Sequence, residues 1–103
     1  MVTKLIARLR EFKIIASSSF PIKKMIFFGS LVQGKGKKWS DIDLIIVSDM
    51  FRKVRPLNRG LNLYDYWTLD YPVDFICYSP EEFEKAKKRI GIVSEAIKNG
   101  ITI

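Results

Sequence analysis

Residues 41–47, Asp-Ile-Asp-Leu-Ile-Ile-Val, form the stretch that decides the fold. After its acidic start the run is apolar and β-branched, which is typical of a strand covered on both faces. Alternate residues of a strand point the same way, so Asp41 and Asp43 should project from one face. The stretch therefore predicts a buried strand that begins with two neighbouring carboxylates.

Two further strands are predicted on either side of this one in the sequence. Residues 23–28 predict a strand that stops at Gly29-Ser30, after which a helical turn and a basic, glycine-containing loop fill residues 31–40. Residues 72–78 predict a third strand, with Asp74 inside an apolar run. Because an isolated buried carboxylate is costly, Asp74 should lie beside the second strand and share its cation.

Helical signals occupy both ends of the chain. Residues 3–19 have an apolar stripe at helical spacing. Ser79-Pro80-Glu81-Glu82 predicts a capped helix that runs to about Ile90, and a second short helix should cover about 92–98. Residues 57–69 show an approximate helical stripe (Leu57, Leu61, Tyr64 and Trp67), and Asp49 is expected to cap what precedes it. The order predicts one α/β (α+β) domain over residues 1–103, its sheet packed against helices.

Composition narrows the chemistry. The chain has no histidine, which excludes Ser-His-Asp and Cys-His catalysis and histidine-bearing zinc sites. The single cysteine, Cys77, is expected to be a buried structural thiol in a reducing, cytoplasmic setting. The formal net charge of +7 favours polyanionic partners: nucleotides, nucleic acid or an acidic protein surface. No apolar run approaches the roughly 20 residues of a membrane span, and no secretory signal is recognisable.

The acidic pair and Gly29-Ser30 become informative only when they are combined. Two close carboxylates repel each other unless a cation lies between them, and Mg²⁺ is usually held by one or two carboxylates plus substrate phosphates. A glycine at a strand end lets a ligand approach the backbone, and the Ser30 hydroxyl can donate to a phosphate oxygen. Taken singly, Asp-X-Asp is common at strand starts and Gly-Ser is an ordinary turn, and Asp65 and Asp70 compete with Asp74 for the third position.

Together these residues resemble a known family. Gly-Ser, ten residues and then Asp-X-Asp is similar to the signature of the polymerase-beta-like nucleotidyltransferase superfamily, and more narrowly to a minimal nucleotidyltransferase (MNT). The resemblance covers nearly the whole chain. It rests on Phe27-Phe28-Gly29-Ser30, Ser40-Asp41-Ile42-Asp43-Leu44-Ile45, Val73-Asp74 and Tyr78-Ser79-Pro80-Glu81-Glu82-Phe83.

The resemblance implies a small mixed sheet with helices on one face, and roles for five residues. Asp41 and Asp43 would bind two Mg²⁺ ions. Asp74 would be the third carboxylate, binding one metal and helping to deprotonate the attacking hydroxyl. Gly29 and Ser30 would hold the triphosphate of the incoming nucleotide, with ATP as the expected substrate.

The resemblance also implies a partner. Similar small proteins act as antitoxins of HEPN-domain toxins, and some transfer AMP to a tyrosine of that partner, so a hetero-oligomer is expected. One departure weakens the expectation of turnover: Leu31 and Gln33 stand where many minimal nucleotidyltransferases carry arginines, and only Lys35, Lys37 or Lys38 could substitute.

Three other functions compete with this interpretation. A catalytically weak member could act by binding a HEPN protein. A basic nucleic-acid-binding module fits the charge, but no aromatic-basic surface motif supports it. Antibiotic nucleotidyl transfer is disfavoured because the chain is short for a separate acceptor-binding domain.

Overall fold

The computed structural model describes residues 2–34 and 41–103, so Lys35, Lys37, Lys38 and Ser40 lie outside the described residues. The helices are α1 (Val2–Ser17), α2 (Pro80–Lys87) and α3 (Ile92–Asn99), and the strands are β1 (Lys24–Phe28), β2 (Ile42–Val47), β3 (Val73–Tyr78) and β4 (Ile101–Thr102). The strand order is β3-β2-β1-β4. β2 is parallel to β3, and β1 is antiparallel to β2 and β4. The predicted α/β domain with a mixed sheet is confirmed.

β2 is the centre of the core, as its composition predicts. Leu44 and Ile46 are fully buried in a cluster that contains α1, whereas Ile45 and Val47 are buried in a second cluster with α2 and α3. Helices therefore cover both faces of the sheet, and the expectation of helices on one face was wrong. The physical reason lies in β2 itself, since a strand that is apolar on both sides needs cover on both sides.

The terminal helices follow their local signals closely. In α2 the Glu82 N–H donates to Ser79 Oγ at 3.3 Å, and the Ser79 N–H donates to Glu82 Oε1 at 2.8 Å, which confirms the capping box. α2 ends at Lys87, earlier than predicted, because Ile90 is fully exposed and offers no apolar contact to extend it. α1 buries Leu5, Leu9, Phe12 and Ala16, while Ile15 faces solvent.

The segment between β2 and β3 differs most from the prediction. It forms three 3-10 turns, Asp49–Lys53, Pro56–Asn58 and Leu61–Tyr66, in place of a helix over 57–69. The stripe was also wrong, since Leu57, Leu61 and Tyr64 are exposed and Leu63 is the buried residue. A 3-10 turn has three residues per turn, so a stripe read at 3.6 residues selects the wrong face.

Ser48, not Asp49, caps the first of these turns. The Met50 N–H donates to Ser48 Oγ at 3.1 Å, whereas the Asp49 carboxylate pairs with Arg52 at 2.9 Å. Ser48 is fully buried directly after β2. The exit from the central strand is therefore fixed by a hydroxyl that has a partner.

Side chains of the 3-10 segment cover the outer edge of β3. The Tyr64 hydroxyl donates to the Val73 carbonyl at 3.1 Å, and the Arg59 guanidinium donates to the Cys77 carbonyl at 3.3 Å. Arg59 is only 8% exposed; it also donates to the Val54 carbonyl and to both carboxylate oxygens of Glu82. These bonds supply partners to backbone groups that an edge strand would otherwise leave to solvent.

β4 was not predicted. It pairs with β1 through Ile26–Thr102 and Phe27–Ile101, and the Ile103 N–H donates to the Met25 carbonyl at 2.9 Å. A two-residue strand carries no periodicity of its own, so it is defined by a partner about 75 residues earlier. Within the described ranges, no helix is long and apolar enough to cross a membrane.

Candidate active site

The strand register brings the predicted acidic residues to one end of the sheet. Asp43 lies opposite Asp74 in the parallel pair β2–β3, and Phe28 lies opposite Asp43 in the antiparallel pair β1–β2. The carboxyl end of β1, where Gly29 and Ser30 follow, therefore meets the amino ends of β2 and β3. The three segments singled out in the sequence converge at this point.

Asp43 and Asp74 also share a face of the sheet. Because side chains alternate, Asp43 points to the side of Ile45, and Asp74 to the side of Ile76, both of which pack with α2 and α3. Asp43 is half-buried, whereas Asp41 and Asp74 are exposed. Asp74 is thus not the buried carboxylate that its apolar flanks predicted, because β3 is an edge strand that leaves this residue to solvent.

The three carboxylates influence one another electrostatically. Burial raises the pKa of Asp43 above its ordinary value, and the negative charges of Asp74 and then Asp41 raise it further. Asp65 and Asp70, the competing candidates in the sequence, do not contribute to this shift and are exposed. A cation among Asp41, Asp43 and Asp74 would relieve this repulsion.

The donor set fits a hard divalent cation. All three side chains offer carboxylate oxygens, which suit Mg²⁺ or Mn²⁺ rather than Zn²⁺. Within the part of the chain that the structure describes, no three acidic or cysteine side chains converge into a closed metal cage. The arrangement therefore fits an open site, in which one or two carboxylates hold the ion and phosphate oxygens complete its coordination.

The Gly29-Ser30 turn borders Asp43. Gly29 has a φ of +100°, and its carbonyl accepts a hydrogen bond from the Gln33 N–H at 3.4 Å, so the chain makes a single turn after β1. Ser30 is exposed, and its hydroxyl is free to meet a ligand at this edge. Leu31 and Val32 pack against the α1 side of the core. Leu31, one of the two residues found in place of arginine, is therefore an anchor of the turn.

Tyr64 is a supporting residue that sequence reasoning missed. Its hydroxyl donates to the Val73 carbonyl, one residue before Asp74, and its ring packs edge-on against Phe75 with centroids 4.9 Å apart. The Ile42 N–H donates to the Pro72 carbonyl at 2.8 Å, which fixes the same two strand starts. No local pattern marks Tyr64 for this task, because the contact depends on the path of the 3-10 segment.

Acidic residues at the starts of two parallel strands, facing a Gly-Ser turn at the end of an antiparallel one, define an α/β domain built for phosphate and metal chemistry. The sequence matches the nucleotidyltransferase domain family over residues 9–99, and the chain belongs to that family. The predicted membership is confirmed. Nucleotidyl transfer from a nucleoside triphosphate with a divalent cation is the general activity of this family, and the chain is assigned to this class of transferase.

Two solved structures are similar to this chain. One is a presumed nucleotidyltransferase from Sulfolobus solfataricus, with 20% identity over 97% of this chain and 79% of that one and a TM-score of 0.67, which supports the fold. The other, also described as a presumed nucleotidyltransferase, has 26% identity over 81% of this chain and 87% of that one, with a TM-score of 0.47. None of the curated proteins compared with the sequence matches it.

Proposed function

We propose that this protein is a magnesium-dependent nucleotidyltransferase that transfers AMP from ATP to a hydroxyl of a HEPN-domain partner, as the antitoxin of that protein. Asp41, Asp43 and Asp74 are the proposed catalytic carboxylates, and Gly29 and Ser30 the proposed triphosphate-binding residues. The proposal is carried by one observation, the alignment of Asp43 with Asp74 across β2 and β3 beside the Gly29-Ser30 turn. This alignment places acidic oxygens and a phosphate-accessible backbone at the same sheet end.

Each residue has a defined task in the proposed reaction. Asp41 and Asp43 hold two divalent cations, which when bound neutralise the charge of the triphosphate and of the attacking and leaving oxygens. Asp74, the most solvent-accessible end of the Asp43–Asp74 pair, binds one of these ions and accepts the proton of the incoming hydroxyl. The hydroxyl oxygen forms a bond to the α-phosphorus, the bond to the β-phosphate oxygen breaks, and pyrophosphate leaves.

The absence of histidine fits this chemistry. Nucleotidyl transfer requires positioning and charge neutralisation rather than a covalent nucleophile. Ser30 donates its hydroxyl to a phosphate oxygen, and Gly29 leaves the backbone accessible to it. The chain's net charge of +7 favours attraction of a triphosphate to the domain.

Exposed apolar side chains support a protein partner. Ile14 and Ile15 on α1 and Leu57 and Leu61 in the 3-10 segment are more than half exposed, and Leu57 reaches 95%. A domain of this size gains by covering such residues, and a helical HEPN protein offers apolar faces to do so. The interface could also present a tyrosine hydroxyl of the partner to the carboxylates.

A catalytically weak member that only binds its partner is the second candidate, and one observation favours it. Leu31 packs against the core, so at this position the turn is held by an apolar contact and not by a guanidinium directed at phosphate. The loss of such a donor lowers the affinity for phosphate. The two candidates differ in whether AMP becomes covalently attached to the partner.

Calorimetry with ATP and Mg²⁺ tests the metal site. We expect magnesium-dependent ATP binding that is lost when Asp41→Asn and Asp43→Asn are combined, because both ligands then lack a negative charge. Asp65→Asn is the matched control, since that carboxylate is exposed and outside the cluster. Unchanged affinity in the double variant would remove the basis of the enzyme proposal.

Co-purification with a HEPN protein encoded next to this chain tests the partner. Intact mass measurement after incubation with ATP and Mg²⁺ should show the partner heavier by one AMP group with the native chain. With the double variant the mass should stay unchanged. Stable binding without added mass would favour the catalytically weak candidate, and no binding would contradict both.

A further inference from the structure

Gly29 lies against the carboxylate of Asp43. A Cβ built on Gly29 would overlap Asp43 Oδ2 and would lie 3.4 Å from Asp43 Cγ and 3.6 Å from its Cβ. The cause is the register of β1 and β2, which places Phe28 opposite Asp43 and so puts the next residue beside the carboxylate. The space that Asp43 Oδ2 occupies exists only because residue 29 has no side chain.

Gly34, at the other end of the same turn, separates this steric effect from backbone strain. Gly29 and Gly34 both have positive φ values, +100° and +73°, which other residues adopt at a cost. A Cβ on Gly34, however, meets no described atom within 4 Å. Alanine at Gly34 therefore introduces strain without a clash, and alanine at Gly29 introduces both.

We infer that Gly29 is a positioning residue for Asp43, in addition to any contact it makes with a triphosphate. By leaving a cavity the size of one methyl group, it fixes the orientation in which Asp43 presents its carboxylate beside Asp74. The inference rests on the proposed function only in taking Asp43 as a metal ligand. A residue that merely held phosphate would need an accessible N–H, but would not need to accommodate Asp43 Oδ2.

The orientation of Asp43 is measurable in the metal-free protein. Three-bond couplings from Asp43 Cγ to the backbone nitrogen and carbonyl carbon report its χ1 angle by NMR. We expect Gly29→Ala to change these couplings and Gly34→Ala to leave them as in the native chain. Identical Asp43 couplings in a folded Gly29→Ala variant would overturn the inference.

A double-mutant cycle covers the case in which Gly29→Ala destabilises the fold. Midpoints of chemical unfolding are compared for Gly29→Ala in the native background and in Asp43→Ala, which removes the carboxylate. The loss caused by Gly29→Ala should shrink in the Asp43→Ala background to that of Gly34→Ala. If Gly29→Ala prevents folding, adding Asp43→Ala should restore it. An equal loss in both backgrounds, or no restoration, would overturn the inference.

Mn²⁺ binding, followed by electron paramagnetic resonance without nucleotide, links the geometry to the metal. Gly29→Ala should weaken Mn²⁺ binding by about 10- to 100-fold, the usual effect of disturbing the support of a ligand. Gly34→Ala should bind as the native chain does. Native-like binding by Asp43→Asn would refute the proposed function, whereas weak binding by Asp43→Asn with native-like binding by Gly29→Ala would refute only the role of Gly29.

Discussion

The two ends of the β2–β3 pair use acidic residues in opposite ways. At the carboxyl ends, Glu81 and Glu82 bind Arg52 and Arg59, and these guanidinium contacts hold the pKa of both carboxyls below the ordinary value. At the amino ends, burial and the charges of Asp74 and Asp41 raise the pKa of Asp43. Among the described residues, the ion pairs lie at the first of these ends or on helix surfaces, and none includes these three aspartates.

This difference separates structural from functional acidic residues in one small sheet. Arg59 is nearly buried and meets Glu82, two backbone carbonyls and the ring of Phe51, so the charges at this end are matched within the fold. The mutual repulsion at the other end weakens the fold unless a cation binds, which is typical of a site that works with a metal. Substitutions of matched chemistry at the two ends should therefore have opposite effects on stability.

The largest effect is expected for Glu82→Gln. It removes the charged partner of Arg59 and should lower the free energy of unfolding by about 1–2 kcal/mol at neutral pH, a range reduced because Glu82 itself is partly exposed. Its folded-state pKa is lowered, so its contribution is present above the ordinary value of 4.5 and is lost as the pH falls through the folded-state value. Urea unfolding at pH 7 and near pH 3 should show a difference only at pH 7.

A smaller effect of opposite sign is expected for Asp43→Asn in the absence of divalent metal. The pKa of Asp43 is raised in the folded state, so its ionisation disfavours folding above that pKa, and the amide should stabilise the protein by at most about 1 kcal/mol. The advantage should disappear at a pH below the ordinary value of 3.8. Millimolar Mg²⁺ should reverse the order, because binding stabilises only the native chain. A less stable Asn variant without metal would contradict the comparison.

The smallest effect is expected for Glu81→Gln, which neighbours Glu82 and has the same chemistry. Both partners of the Arg52–Glu81 pair are about half exposed, so solvent screens their attraction. The urea midpoint should stay close to that of the native chain at both pH values. A loss as large as that of Glu82→Gln would show that burial of Arg59 is not what distinguishes the two pairs.

Elements with strong local signals were predictable from the sequence. The alternation of β1, β2 and β3 and the capping box at Ser79 depend on residues within a few positions of one another, and the structure confirms them. The Gly-Ser and Asp-X-Asp motifs likewise led to the family. Their convergence needed only the expectation that β3 lies beside β2, and the register of Asp43 with Asp74 bears out that neighbourhood.

The features that escaped prediction depend on distant contacts. β4 exists through pairing with β1, and the 3-10 segment takes its shape from Leu63 packing into the core rather than from its own periodicity. The exposure of Asp74 follows from its place on an edge strand, which no residue near it specifies. The overlap that a side chain at Gly29 would cause with Asp43 joins residues from two strands, and only the register shows it.

The cover that Tyr64 and Arg59 provide over β3 has a consequence for how the domain can associate with other chains. Their bonds to the Val73 and Cys77 carbonyls occupy acceptors that an incoming strand would need on that side. The sheet is thereby protected from lengthening by another copy or by an extended peptide, a common route to aggregation. Any protein that docks beside Asp74 must then do so through side-chain packing, which leaves the end of the sheet accessible to a nucleotide.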